Sequence, residues 1–444
     1  LGNLAIPESV QKLQRALQAK AKEKPDFRFY ALYDKVYRED VLTHAYASCK
    51  ANGGAAGVDG QDFEDIEAYG RERWLGELAL ELKEKRYQPQ AVRRVFIPKR
   101  GGTGRRPLGI PTIRDRTAQM ATVLVLGPIF EADLQPEQHA YRPERDALSA
   151  VQQVDGLLHA GYKQVIDADL SAYFDSIPHL ELMKSVARRV VDSAMLHLIQ
   201  MWLQAPVEES DEGGGTKRTT RNRDEKRGIP QGSPLSPLLS NIYMRRFVLG
   251  WKSLGLARRY QAQIVNYADD FVICCKGNAE EALKAMRQLM ERLRLTVNEE
   301  KTHLCRIPED HFDFLGYTFG RRYSPKTGRA YTGMGPSKKS VHRQIESIRE
   351  ATARQRCWLD AAVVVRELNE ALRGWANYYR LGTVSKVYDR LDDYTTQRLR
   401  RWLCRKHKIR DSSGCRRYPD EHLYRDLGLV RLRVLRRSSP WARA

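Results

Sequence analysis

Five aspartates fall where the surrounding pattern calls for apolar strand residues. Asp167, Asp169 and Asp175 interrupt VIDADLSAYFD (165–175), and Asp269 and Asp270 sit together inside IVNYADDFVICC (264–275). Neighbouring carboxylates repel one another and are costly to desolvate without a compensating charge. An apolar hairpin with two bare acids at its turn therefore invites a cation. Oxygen ligands of this kind suit magnesium, which uses one or two carboxylates plus substrate phosphates. Two strands that deliver acids to one point make the arrangement that two-metal phosphoryl transfer needs, with the ions about 4 Å apart. For Asp269-Asp270 alone the plain alternative is a solvent-exposed turn, since Asp is a common turn residue.

The elements that must carry these residues are legible from periodicity. KQVIDAD (163–169) reads as a strand, and residues 263–275 as strand, tight turn, strand. Residues 92–98 alternate as a strand, Gly101-Gly102-Thr103-Gly104 reads as a hairpin tip, and residues 107–111 as its return. Helices are expected over much of 7–50 and 61–85, separated by the turn-rich ANGGAAGVDG (51–60). Residues 179–203 read as one helix, 207–227 as a polar loop or hairpin, and 282–293 as an amphipathic helix. A helix should follow Ser236-Pro237, with Ser236 as N-cap and Pro237 at the first helical position. Residues 312–319 alternate like a strand, and the chain beyond reads as mostly helical to about residue 408.

Composition narrows the partners. The 444 residues carry 76 Lys+Arg against 55 Asp+Glu, a formal net charge of +21. Of these, 30 and 12 lie in residues 321–444, leaving 46 and 43 in the first 320. A near-neutral body with a strongly basic C-terminal part suggests a catalytic unit plus a grip on a polyanion, nucleic acid first. Trp375, Tyr378, Leu391, Leu399 and Trp402 recur too regularly there for a merely solvated tail. No stretch of about 18 apolar residues exists to span a membrane. The opening residues lack a basic-then-apolar leader, so secretion is not expected. Seven cysteines without a CxxC pair argue against a disulfide framework or zinc finger and for a reducing, intracellular setting.

Taken together, these strings resemble a family. YADD (267–270) is similar to the YxDD box of reverse transcriptases, DLSAYFD (169–175) to their first palm motif, and GIPQGSPLSPLLSNIY (228–243) to their Pro-Gln-Gly motif. IPKRGGTGRRPLGIPTIRDRTAQ (97–119), YRPERDALSAV (141–151), VNEEKT (297–302), FLGYTF (314–319) and GWANYYR (374–380) narrow the resemblance to group II intron reverse transcriptases, or maturases. It runs from about residue 32 to about residue 408. It implies an α+β right-hand polymerase fold, fingers and palm with antiparallel sheet, plus an α-helical thumb or domain X. The implied division is an N-terminal helical extension (1–85), fingers (86–162), palm (163–320), thumb or domain X (321–410) with three helices from about Ser337, and a short basic C-terminal segment (411–444) with no room for an endonuclease.

The resemblance also assigns roles. Asp169, Asp269 and Asp270 are the implied catalytic metal ligands, for two Mg2+ ions with Mn2+ as a substitute. Asp270 is the looser one, because adjacent strand residues point to opposite faces. Asp167 and Asp175 do not match a metal position. Phe174 is the implied aromatic under the incoming sugar, excluding a ribose 2′-hydroxyl; the alternative is a core phenylalanine. Lys99 and Arg106 (or Arg105, if the tip holds an extra residue) would clamp the triphosphate, with Arg93 a weaker candidate. Gln231 and Gly232 would abut nucleotide and template. Lys301 matches a lysine proposed to protonate pyrophosphate, with a capping or surface lysine as the alternative. Trp375 and Tyr378 can share a helix face, and core packing is the expectation for Trp375. FLGYTF resembles the strand pair that grips the primer end.

The implied function is an RNA-directed DNA polymerase whose partners are an RNA template (its group II intron RNA), a DNA primer and dNTPs. It would aid splicing and retrohoming of its intron, in a prokaryotic, nucleoid-associated, cytoplasmic setting. No membrane partner is expected, and the oligomeric state is open, a homodimer being one option. Alternatives are a group II-like enzyme co-opted for DNA repair or phage defence, a maturase without polymerase activity, and an RNA-dependent RNA polymerase. The intact acids argue against a maturase without polymerase activity, and Phe174 with YADD against an RNA-dependent RNA polymerase. The charge distribution generates a test. Affinity for RNA should fall steeply with salt, by roughly 10³-fold between about 50 and 200 mM for about six phosphate contacts. A flat dependence in filter binding would contradict an electrostatic grip.

Overall fold

The computed structural model describes residues 4–98, 104–210, 215–324, 327–409 and 414–438. Along the chain, α1 (Glu8–Glu23) and α2 (Glu39–Asn52) precede the turn-rich break, and α3 (Phe63–Tyr69) and α4 (Arg71–Lys83) follow it. The start of α3 is set locally. The Asp62 carboxylate accepts from the amides of Glu64 and Asp65, and Asp65 returns the bond to the Asp62 amide, a capping box. The hairpin β1 (Val92–Pro98) and β2 (Arg105–Ile110) leads into the buried helix α5 (Ile113–Glu131). Then come α6 (Ala147–His159), β3 (Gln164–Ala168), α7 (His179–Ala187), α8 (Ser193–Gln204), β4 (Val207–Ser210) and β5 (Thr216–Thr219). They are followed by α9 (Ser236–Ser253), the hairpin β6 (Ala262–Tyr267) and β7 (Asp270–Cys275), and α10 (Ala279–Arg292). The C-terminal part is β8 (His303–Arg306), β9 (Phe312–Phe314), β10 (Tyr317–Tyr323), β11 (Ala330–Pro336), α11 (Lys338–Ala351), α12 (Ala361–Tyr378), α13 (Ser385–Lys406) and α14 (Leu432–Ser438). The architecture is α+β. Among the described residues no helix is long and apolar enough to cross a membrane.

The contacts divide the chain into two compact units. The first comprises residues 1–147 and 168–303. In it β1 pairs antiparallel with β2 and parallel with β4, which pairs antiparallel with β5, so the sheet is mixed rather than purely antiparallel. β6 and β7 form the second hairpin, register Tyr267↔Asp270. The second unit comprises residues 148–167 and 304–444. Its antiparallel sheet β9-β10-β11 precedes three long helices whose core holds Ile348, Val364, Leu368, Leu372, Leu391, Leu399 and Trp402. Leu423, Leu429 and Leu432 belong to that same core, so residues 423–432 are folded into it.

Four local expectations are corrected. Residues 179–203 are two helices, because Asp192 turns its carboxylate to cap α8, accepting from Ala194 and Met195. Its other oxygen takes the amides of Leu32 and Tyr33, both at 2.8 Å. The N-cap of α9 is Leu235, not Ser236; the Ser236 hydroxyl is spent on the Pro230 carbonyl, 2.6 Å away. Residues 312–319 are not one strand but β9 and the start of β10. Leu315 (φ 49°) and Gly316 (φ 81°) turn between them in the left-handed region that suits a two-residue hairpin loop. The chain after Gly320 is also not helical at once, since the β10–β11 ladder runs to Pro336.

The first unit is tied together by a buried cation. Arg189, 1% exposed, donates to the carbonyls of Ala21 (2.7 Å), Lys24 (3.1 Å), Phe27 (3.1 Å) and Pro25, and lies 3.3 Å from Asp133. Its planar fork lets one side chain satisfy several acceptors at the end of α1. Arg189→Met strands those buried carbonyls and leaves Asp133 with Arg188 alone, 2.6 Å away. It should cost about 3–5 kcal/mol, read as a lower urea midpoint; an unchanged midpoint would count against this account.

Candidate active site

Asp169 follows β3 and is fixed from the 296–302 turn. Its carbonyl accepts the Asn298 amide at 2.8 Å, and its own amide reaches Thr302 Oγ1 at 3.4 Å. One carboxylate oxygen, Oδ2, takes Asn298 Nδ2 at 3.1 Å and Lys301 Nζ at 3.2 Å. Asn298 is a positioning residue that motif reading passed over. It stands three residues before Lys301 in the same VNEEKT string, and that spacing was the available signal.

Asp269 and Asp270 are delivered by the β6–β7 hairpin. Its two-residue loop needs positive φ, and Ala268 adopts 58° although it is not glycine. The fully buried Asn266 stabilises that turn, donating from Nδ2 to the Ala268 carbonyl at 2.8 Å. Its backbone is held in turn by the Glu137 carbonyl and the His139 amide. Asp270 is the first residue of β7. Both acid side chains reach solvent, yet the surrounding protein is dense enough that burial is the first cause raising their pKa values. The Asp169 charge adds to both. Asp270, which also feels Asp269, is pushed up to about 6, with Lys301 opposing. The three acids thus share one field, and Lys301 is the cation acting within it.

The donor set fits a divalent cation. It is oxygen-only, the Asp169 charge helps to hold the Asp269 and Asp270 pKa values up, and an ammonium group already stands against Asp169. Among the described residues no three His, Cys, Asp or Glu side chains converge to hold an ion unaided.

The Pro-Gln-Gly turn is built against both neighbours. The Ile229 amide donates to the Phe174 carbonyl (2.8 Å), and the Gly109 amide to the Gln231 carbonyl (2.6 Å). Gly232 has φ 112°, and a Cβ there would stand 2.6 Å from the Gly109 carbonyl. Ser233 Oγ reaches Gln119 Oε1 at 2.6 Å, anchoring the turn on α5. Phe174 is half-buried and meets Tyr173 edge-on at 5.6 Å. Tyr173 is buried, with its hydroxyl on the Ser240 carbonyl.

The remaining expected residues scatter. Arg106 is exposed on β2, and its charge acts on Tyr141 together with those of Asp269 and Asp270, which puts Arg106 on the acids' side. Tyr141 is a second residue the motifs did not single out. It is 54% exposed and held at φ 57°, between Ala140, whose carbonyl takes Asn241 Nδ2, and Arg142, which is paired with Glu131. Arg93 is half-buried on β1, and its charge acts on Asp59 and Arg116 instead. Lys99 lies outside the described residues. Asp175 is exposed, its pKa raised by burial and countered by Arg94 and Arg221.

In the second unit two motif strings meet. A Cβ on Gly316 would lie 2.5 Å from the Tyr379 hydroxyl, so FLGYTF needs its glycine where GWANYYR docks. Trp375 is a core residue, as expected, packed on Tyr379 (4.7 Å) and Tyr388 (5.8 Å). Tyr378 instead turns to Tyr317 and the Leu315 carbonyl.

Residues 97–319, half of the chain, match the family described as reverse transcriptase (RNA-dependent DNA polymerase). The chain belongs to the reverse transcriptase family. Residues 341–418 match the group II intron maturase-specific domain. This reverse transcriptase is 32% identical over 356 residues to protein YkfC of Escherichia coli, covering 71% of this chain and 89% of that protein. It is 27% identical over 365 residues to the group II intron-encoded protein LtrA of Lactococcus lactis, covering 68% of this chain and 59% of LtrA. A putative COX1/OXI3 intron 1 protein of Saccharomyces cerevisiae is 26% identical over 329 residues, 63% of this chain and 38% of that protein. The chain therefore spans less than two thirds of LtrA and of the yeast protein. Reverse transcriptases polymerise nucleotides with divalent metal ions, and the two matched domains together imply RNA and nucleotide ligands.

The raised Asp270 pKa has a consequence for stability. Folding favours the protonated acid, so ionising Asp270 costs the folded protein more than the unfolded chain. The metal-free protein should lose stability as pH rises from about 4 to about 6 and stay at the lower level above. Asp270→Asn should remove that part of the fall. Melting temperatures of both proteins across this range in EDTA check it; parallel curves would refute it.

Proposed function

We propose that the protein copies RNA into DNA from a DNA primer, and that it binds its group II intron RNA to aid splicing and retrohoming at the prokaryotic nucleoid. What supports the polymerase reading most is the electrostatic coupling of Asp169, Asp269 and Asp270, with the Lys301 ammonium against Asp169. In this reading Asp169 and Asp269 are the main metal ligands and Asp270 a looser one. Two Mg2+ ions, with Mn2+ able to substitute, would supply activation of the primer 3′-hydroxyl and charge neutralisation at the leaving pyrophosphate.

The chain's own side chains do the rest. Asn298 orients the Asp169 carboxylate. Lys301 neutralises it in the metal-free protein and holds a proton close to the site where pyrophosphate leaves. Arg106 and Lys99 clamp the triphosphate, with Arg93 contributing less directly through β1. Phe174 and Gln231, joined through the turn between Ile229 and Gly232, shape the sugar and base sides of the nucleotide site. The second unit grips the primer end and the RNA. LtrA is named a group II intron-encoded protein, and the maturase-specific match supports the intron reading.

Primer extension on an RNA template tests the assignment. Wild type should extend with dNTPs and not rNTPs, and Asp269→Ala should abolish extension. Phe174→Ala should keep extension but narrow the preference for dNTPs by about tenfold or more. An active Asp269→Ala, or unchanged sugar discrimination in Phe174→Ala, would overturn the corresponding role.

A further inference from the structure

The connector between α11 and α12 presents a tryptophan to water. Trp358 is 79% exposed, whereas Trp74, Trp202, Trp251, Trp375 and Trp402 are each at most 8% exposed. Its chain neighbours face the other way, since Cys357 and Leu359 pack against the core of the second unit. The segment is firmly held. A short 3-10 turn spans Arg354–Arg356, the Cys357 amide bonds the Arg354 carbonyl, and the Leu359 amide bonds the Arg356 carbonyl, each at 3.1 Å. Lys406 then brackets the indole from behind, donating to the Cys357 carbonyl at 3.3 Å and the Leu359 carbonyl at 2.8 Å. Asp360 caps α12 through the Ala362 amide at 3.0 Å. A large apolar ring is thus fixed outward by bonds on both sides of it, when inward-facing neighbours show that a buried alternative was at hand.

The chemistry around it is cationic. Arg354 is exposed on the same turn. The end of α13, tied to the connector by Lys406, carries exposed Arg401 and Arg405, with Lys408 just beyond. Of the nearby acids, Asp360 is the helix cap, Glu367 is paired with Arg356 at 2.8 Å, and Glu350 lies at the end of α11. A rigid aromatic face flanked by Arg and Lys fits an unpaired nucleobase with a phosphate on either side. Inside a perfectly paired duplex every base face is already stacked on its neighbours, leaving only the two end faces. We propose that Trp358 is a stacking platform for an unpaired base of bound RNA, with Arg354 and the basic end of α13 taking the adjoining phosphates. This rests on the reading of the second unit as RNA-binding and adds the structural class of RNA it selects.

The test uses the full chain and two fluorescein-labelled RNAs, a hairpin with a short unpaired loop and a blunt duplex of equal length. Trp358→Ala should weaken hairpin binding by about tenfold and leave duplex binding as it was. Trp358→Phe, which keeps an aromatic face, should recover most of the affinity. The hairpin should also shield from iodide the part of the tryptophan emission that is missing in Trp358→Phe. Melting temperatures verify that both variants are folded. Equal hairpin affinity in wild type and Trp358→Ala would overturn the proposal. So would a lost dimer on sedimentation without a change in RNA affinity, which would assign Trp358 to a protein contact. A wild-type chain that binds neither RNA would instead sink the underlying RNA-binding reading.

Discussion

Mutual repulsion among three carboxylates is the constraint on which the first unit is organised. The Asp169 charge raises the cost of ionising Asp269 and Asp270, Asp269 adds to it at Asp270, and Lys301 opposes it there. Side chains left free would swing apart to relieve that field. The protein prevents this by fixing backbone. Asn298 and Thr302 hold both the amide and the carbonyl of Asp169, and Asn266 holds the strained turn that bears Asp269. Such preorganised strain is stable only where surrounding bonds over-determine it.

The same economy recurs around the cluster. The Pro-Gln-Gly turn is bonded to Phe174 on one side and to β2 on the other, so Phe174 and the Arg106 strand are spaced by a single loop. A Cβ on Gly232 would strike the Gly109 carbonyl, and one on Gly109 the Val92 side chain, so both positions need glycine. Arg189 performs the corresponding task at the outer edge of the unit, converting the frayed end of α1 into a bonded junction. In the second unit Gly316 lets Tyr379 dock, and the buried tyrosine and tryptophan rings around it build the support for the basic helices.

Charge has two uses in this molecule. Within the first unit it is local, with Lys301 set against Asp169 and Arg189 against Asp133. In the second unit it is a distributed surplus on a well-packed helical core. The exposed Trp358 lends that surplus a preference for base faces that charge alone could not provide, since phosphate contacts are blind to sequence and pairing.

Much was legible in the sequence because it depends on local chemistry. Alternation revealed the β6–β7 hairpin, acids at its turn pointed to a cation site, and the strings around them revealed the family. The uneven charge pointed to a grip on a polyanion. What the sequence could not show are the outcomes of tertiary competition for one side chain. Residues 179–203 look like one helix until Asp192 is seen to serve residues 32 and 33 as well as α8. Ser236 looks like an N-cap until its hydroxyl is seen on Pro230. Tyr378 and Trp375 lie on one helix face by spacing, yet different partners draw them apart. Asn298, Asn266 and Tyr141 carry no chemistry of their own that would mark them. Their importance comes from partners distant in the chain, 129 residues away for Asn298 and Asp169. The sequence by itself determined which groups are reactive and which elements bear them. Only the tertiary structure decided how they are held, because burial and long-range hydrogen bonds select one partner among the several that each polar group could take.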